Sequence, residues 1–149
     1  KLILYEKKIQ IKKSNIYDKF VKNIESIQKK LIYKIDLILK QKNKIYILGA
    51  STKGNTILQF LNIDNKKIPY AIERNKHKIG AQTIDSNIKI KSEKFAKSFK
   101  PDYMLVLPWH FKSEIINREL DYIKKGGKLI FPLPKVLIID KKNYFNHVK

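Results

Sequence analysis

Cysteine is absent from the 149-residue chain, which excludes disulfides, zinc-thiolate sites and a cysteine nucleophile. Acidic residues are scarce, 13 Asp and Glu against 33 Lys and Arg, and the net charge is +20. Arginine is scarcer still: Arg74 and Arg118 are the two arginines among those 33 basic residues. No apolar run approaches the roughly 20 residues that cross a bilayer, so no membrane span or membrane partner is expected. Lys1 rather than Met opens the sequence, with no signal-peptide pattern behind it. The expected setting is the cytoplasm, with this chain as one part of a longer protein.

What is present suffices for a core. Hydrophobic residues make up 43% of the chain, above the range of disordered segments, and the length suits one domain. The charge of +20 invites a nucleic-acid reading, because dense basic residues neutralise phosphates. Phosphate and base-edge readers, however, favour the planar fork of Arg over Lys. With the lysines, 25 Ile and 11 Asn point to a genome biased toward A and T. The lysines run along the whole chain; residues 1–44 alone hold 13 against four acids. A solvated basic surface is therefore expected, and nucleic acid is not the expected partner. A nucleic-acid-binding module stays as an alternative.

The hydrophobic spacing divides the chain in three. Residues 2–5 read as a short strand at the end of a preceding domain, and residues 7–13 as a basic connector, so that 1–13 form one unit. Ser14 is a plausible N-cap. After it Ile16, Phe20, Ile24, Ile27, Leu31, Ile35 and Ile38 recur at three- and four-residue spacing, which predicts a long amphipathic linker helix over 14–43. Its apolar face needs a partner in the following domain, in a preceding one, or in both. Residues 44–149 alternate strand and helix signals. Strands are expected at 45–48, 68–72, 88–90, 103–107, 129–131 and 136–139, and helices near 52–61, 92–99 and 111–124. Residues 76–87 read as an irregular loop, and Gly126-Gly127 ends the last helix through left-handed backbone angles. Strands separated by single helices predict an α/β fold, a Rossmann-like and mostly parallel sheet with flanking helices.

In such sheets ligands sit beyond the carboxyl ends of the strands, where helix N-termini present free N–H groups. The first strand runs into Gly49-Ala50-Ser51-Thr52-Lys53-Gly54-Asn55-Thr56 and then into a helix. Ser51, Thr52 and Thr56 offer hydroxyls, Lys53 offers charge, and Gly49 and Gly54 allow close backbone approach. Asn55 stands where a Walker A loop needs Lys, and Ser51 where a dinucleotide fingerprint needs its second Gly. The loop is read as an anion cradle, with an ordinary capped turn as the plainer reading. Glu73, at the end of the second strand, is placed either to meet ribose hydroxyls or to pair with Arg74 or a nearby lysine. Trp109 and His110 follow the fourth strand on the same expected edge. They suit stacking and hydrogen bonding to a ligand, although packing plus a cap is the commoner role for such a pair. Glu114, Arg118 and Glu119 read as surface charges. His77 and His147 have no metal-ligand spacing, no metal site is expected, and the catalytic residues are unknown.

Several segments recur in order: the loop from Gly49 to Thr56, Ile72-Glu73-Arg74-Asn75, Lys78-Ile79-Gly80, Pro101-Asp102-Tyr103, Leu107-Pro108-Trp109-His110-Phe111, and Gly126-Gly127-Lys128-Leu129-Ile130-Phe131-Pro132. Over about residues 44–134 the chain closely resembles the C-terminal domain of SAM-dependent sugar C-methyltransferases. The resemblance implies a nucleotide-linked keto-deoxysugar as substrate, and S-adenosylmethionine bound by a preceding SAM-binding domain that this chain lacks. It implies a substrate-side role here, with Gly49, Ser51, Thr52, Lys53, Gly54, Asn55 and Thr56 as the anion loop. Glu73 would face ribose or sugar hydroxyls, Arg74 would be a further substrate-binding residue, and Trp109 with His110 would form the facing wall. No cofactor is firmly expected in this chain. Two rivals stand beside the substrate-side role, a stand-alone nucleotide-binding module and a purely structural domain.

Overall fold

The computed structural model describes residues 2–8 and 14–148 of the chain, without the side chains of Ser14 and Lys97. Its elements are α1 (Leu2–Lys8), α2 (Ser14–Lys40), β1 (Ile45–Leu48), α3 (Thr52–Phe60), β2 (Tyr70–Glu73), β3 (Lys89–Ser92), α4 (Glu93–Ser98), β4 (Tyr103–Val106), α5 (Lys112–Arg118), α6 (Leu120–Lys124), β5 (Lys128–Phe131) and β6 (Leu137–Ile139). Short 3-10 turns occupy Lys76–Lys78, Trp109–Phe111 and Tyr144–Asn146.

The six strands form one sheet in the order β3-β2-β1-β4-β5-β6. The first five are parallel, and β6 returns antiparallel beside β5. Strand alternation sends successive side chains to opposite faces. Ile45 and Ile47 of β1 join Tyr103 and Leu105 of β4 beneath α2 and α3. Tyr46 and Leu48 join Met104 and Val106 on the face covered by α4, α5 and α6. Both central strands are buried along their whole length, as a sheet covered on two sides requires. This is the expected α/β architecture.

Local chemistry explains where the element boundaries fall. Pro69 has no N–H to give the ladder, so β2 starts at Tyr70 rather than at residue 68. The Ile88 N–H donates to Thr83 Oγ1 at 2.9 Å, and β3 begins one residue later. Three helices end in the same paired motif, in which a left-handed residue lets two N–H groups reach back to the last turn. Lys42, Asn62 and Gly126 take the left-handed position, with φ of 61°, 50° and 100°. Gly127 has no such φ, but a Cβ there would fall onto the Tyr122 ring. The helix expected over 111–124 is two pieces, α5 and α6, joined at Glu119 (φ −100°, ψ 18°). Hydrogen bonds run on through the joint, from Glu119 N to Ile115 O and from Ile123 N to Glu119 O.

The N-terminal expectation needs correction. Residues 2–5 are not a strand but lie in α1. Leu-Ile-Leu-Tyr favours extended backbone, yet a strand must pair with a neighbour, and the sheet edges are β3 and β6. The helix satisfies its backbone locally, and Lys7 and Lys8 in its last turn suit the negative helix end. Lys7 and Lys8 therefore belong to α1, while residues 9–13 of the expected connector lie outside the described residues. The long helix expected from Ser14 is present as α2, with Ser14 itself inside it.

At 27 residues, α2 is about 40 Å long and only its second half lies on the sheet. Leu31, Ile35 and Ile38 are buried in the core, whereas Phe20 is 62% exposed. Gln28 Nε2 donates to Phe60 O at 2.8 Å, and Lys67 Nζ meets Asp36 Oδ1 at 2.8 Å, which fixes the docked half. Ile35→Ala should cost about 2–5 kcal/mol of stability through lost burial and cavity formation. Phe20→Ala should change it by no more than about 0.5 kcal/mol. Urea denaturation of both variants measures the asymmetry.

Candidate functional site

Strand order reverses at β1, which has β2 on one side and β4 on the other. The crevice beyond the strand carboxyl ends at such a switch point is the general ligand position in open α/β sheets. A cleft of about 220 Å³ lies there. A larger one, about 680 Å³, opens near Pro101, Asp102 and Gly126 at the opposite strand ends. We take the smaller as the candidate site because of its place in the topology.

The glycine loop supplies the first wall. Gly49 leaves β1 with φ 85°, and its N–H donates to Ile72 O at 2.8 Å. A Cβ at Gly49 would stand 2.9 Å from Pro108 Cδ, and one at Gly54 would stand 2.6 Å from Leu107 Cδ1. Ser51 caps α3: its Oγ accepts from Gly54 N at 3.0 Å. The plainer reading of Ser51, a helix cap, is therefore realised. Its hydroxyl proton and the N–H groups of Thr52 and Lys53 have no partner among the described residues.

The second wall comes from β2 and the turn after it. Glu73 Oε2 accepts from Ala50 N at 3.0 Å, and Oε1 accepts from Arg74 N at 2.8 Å and Asn75 N at 3.0 Å. Lys78 Nζ donates to Ala50 O at 2.9 Å and lies 4.0 Å from Glu73 Oε2. The carboxylate and the ammonium together clamp both polar groups of the Ala50 backbone. Burial pushes the Glu73 pKa up, but the three backbone N–H groups and Lys78 outweigh it, and the net shift is downward.

Of the residues expected from sequence, Gly49, Ser51, Glu73 and Arg74 line the cleft. Thr52, Lys53 and Thr56 are exposed on the first turns of α3, beside the cleft rather than in its lining. Gly54 is buried against Leu107. Asn55 is half-buried, and its Oδ1 is shielded without a hydrogen-bond partner among the described residues. Pro108 reaches the cleft, whereas Trp109 packs half-buried against the core beneath α5. His110 is exposed, with its ring 5.6 Å from Trp109 and 4.3 Å from Phe111.

Three charged lining side chains were not expected from sequence: Lys78, Glu93 and Arg118. Glu93 opens α4 directly after β3, whose Ser92 pairs in register with Glu73. Arg118 Nε donates to Glu119 Oε1 at 2.9 Å, and its Nη2 lies 3.8 Å from Glu93 Oε1. The signal for Arg118 was its rarity, since a Lys-rich chain keeps arginine at two positions and both line this cleft. No group of three or more His, Cys, Asp or Glu among the described residues is arranged to hold a metal ion.

A mostly parallel sheet with a cleft at the β1 switch point is the architecture of a Rossmann-like domain. The family described as C-methyltransferase C-terminal domain matches residues 1–134. The chain belongs to that family. It is also similar to the C-methyltransferase NovU of Streptomyces niveus, with 32% identity over 95 residues. That match takes in 64% of this chain and 23% of NovU, so the chain spans about a quarter of that relative's length. The family match reaches further toward the N-terminus than the segments that carry the resemblance, and includes α1 and α2. No helix among the described residues is long and apolar enough to cross a membrane.

The lowered Glu73 pKa fixes the sign of a pH effect. A carboxyl that binds its proton less tightly when folded contributes stability fully above the ordinary carboxylate value, near about 4.3. That contribution is lost as pH falls through the folded value. Glu73→Gln should therefore cost about 1–3 kcal/mol at pH 7, from hydrogen bonds to a charged acceptor. The gap between wild type and variant should close as pH falls below the ordinary carboxylate value and on through the lowered folded one, which denaturant titrations across the range would follow.

Proposed function

We propose that this chain is the substrate-side domain of a SAM-dependent C-methyltransferase that acts on a nucleotide-linked keto-deoxysugar. Membership of the C-methyltransferase C-terminal domain family supports the reaction class. The observation that carries the substrate-side assignment is the cleft itself. At about 220 Å³ it falls below the roughly 300–1,000 Å³ of pockets that enclose a drug-sized ligand. It suits one ring or one phosphate group of a larger molecule, with the remainder covered by another part of the enzyme.

The residues present do not fit S-adenosylmethionine. Ser51 occupies the point where a dinucleotide loop keeps a glycine for close backbone approach, and its side chain is turned back to cap α3. The Glu73 carboxylate, at the position where such folds hold ribose, already accepts three backbone N–H groups. In this reading the methyl donor and the catalytic base belong to a SAM-binding domain outside this chain, and the chain alone is not catalytically competent. Its own contribution is to hold the nucleotide-sugar so that the reacting carbon is presented in one orientation, a large part of the advantage when two reactants must be aligned. The free N–H groups at the start of α3 and Arg74, with Lys53 beside the cleft, form the anion-binding end of the site.

Calorimetric titration of the chain with dTDP, dTDP-glucose, S-adenosylmethionine and NAD tests the assignment. Binding of the nucleotide ligands is expected. Arg74→Ala and Lys53→Ala should each weaken it by about tenfold, from loss of a charge-assisted contact. Binding of S-adenosylmethionine or NAD in their place would overturn the division of labour.

A further inference from the structure

The acid placed to read a sugar hydroxyl is not Glu73, which already accepts three backbone N–H groups, but its neighbour across the cleft. Glu93 Oε1 is shielded from solvent and has no hydrogen-bond partner among the described residues. Among the described side chains the cation within ion-pair distance is Arg118, whose Nη2 lies 3.8 Å away, beyond hydrogen-bond reach. A shielded carboxylate oxygen without a donor is costly. The Glu93 side chain as a whole is 28% exposed and lines the cleft with Arg118, so a ligand hydroxyl that meets the carboxylate from the cleft side would donate to Glu93 and accept from Arg118.

Three further observations converge on the pair. Arg118 is held by its Nε–H bond to Glu119, which is only 1% exposed, so its fork is oriented before any ligand arrives. Arginine occurs at two positions among 33 basic residues, Arg74 and Arg118, and both line this cleft. In a chain whose cations are otherwise lysine, a guanidinium is placed where a planar fork of fixed donors matters and a mobile ammonium would not serve. Finally, Leu48 and Ile72 at the cleft floor offer apolar surface to the non-polar face of a ring.

We infer that Glu93 and Arg118 form a hydroxyl-reading pair that grips a sugar ring of the bound nucleotide-sugar. The inference rests on the substrate-side reading above and adds to it which residues contact the carbohydrate. The ring is either the nucleoside sugar or the attached hexose, and the two are separated by ligands that carry one or both.

The test is calorimetric titration of the chain, its Glu93→Gln form and its Arg118→Lys form with dTDP and with dTDP-glucose, each protein checked by thermal melting. Both variants should weaken dTDP-glucose by about tenfold or more, the loss of a hydrogen bond to a charged group. Unchanged dTDP affinity would place the hexose in the pair, and an equal loss for both ligands would place the nucleoside sugar there, which in dTDP is deoxyribose with its 3′-hydroxyl. If Arg118→Lys does not fold, because Arg118 also holds Glu119, Glu93→Gln decides, with Glu93→Ser as its check. A folded Glu93 variant with wild-type affinity for both ligands would overturn the pair and leave the substrate-side reading intact. A wild-type chain that binds neither ligand would remove that reading, and the pair with it.

Discussion

With Cβ atoms at Gly49 and Gly54, the loop after β1 would run into Pro108 Cδ at 2.9 Å and Leu107 Cδ1 at 2.6 Å. The loops that follow β1 and β4 therefore meet only because both positions lack a side chain. The parallel pairing of β1 with β4, in register from Ile45 opposite Tyr103 to Leu48 opposite Val106, delivers the two loops to the same height. Buried apolar residues on both faces hold those strands in place. Core packing thus sets the strand ends, and two small residues turn that edge into a closed wall rather than a gap. The cleft is what remains between this wall and the ends of β2 and β3.

Within that edge the division between structure and ligand is set by hydrogen-bond supply. A carboxylate accepts about four hydrogen bonds. Glu73 takes three from Ala50, Arg74 and Asn75 and has Lys78 nearby, so its charge is spent on holding two loops together. The same position in a dinucleotide-binding domain is open to ribose. Here the acid has become a staple, and Lys78 completes it by taking the Ala50 carbonyl. Such a clamp keeps the edge in one shape, a condition for positioning a ligand with little further cost.

Where the fold was legible in the sequence, periodicity and backbone chemistry agreed. The spacing from Leu31 to Ile38 and the unbroken apolar runs of β1 and β4 are signals of burial on one or both faces, and burial is what the structure shows. Residues 2–5 misled because strand preference is a property of a pair, and no strand among the described residues pairs with them. The break at Glu119 was hidden for a related reason: helix periodicity survives a small kink. Of the site, the glycine loop and Glu73 could be located, because a strand-to-helix turn fixes where they sit. Their hydrogen bonds could not, since Glu73 was equally suited to ribose, to Arg74 or to a lysine until the turn over Asn75 closed on it. Glu93 and Arg118 are 25 residues apart, and nothing in linear spacing joins the start of α4 to the end of α5. Only the sheet order brings them together.

Charge, too, divides between surface and cleft. A net +20 describes the surface, and the cleft differs from it: Arg74, Lys78 and Arg118 face Glu73 and Glu93, three cations against two acids. For an anionic nucleotide-sugar the two scales would act in sequence. The scattered lysines produce an attractive field that raises the encounter rate, falls with salt and recognises no particular anion. The cleft, nearly balanced, adds little to that attraction and instead offers donors and acceptors at fixed positions. Selectivity then depends on matching hydroxyls and phosphates to those groups, because an unmatched carboxylate or guanidinium loses its water without replacement. A polyanion without sugar hydroxyls to offer would be drawn to the surface by the lysines and would leave the Glu93 side of the cleft unsatisfied. A strongly basic exterior is therefore compatible with a site that discriminates against nucleic acid.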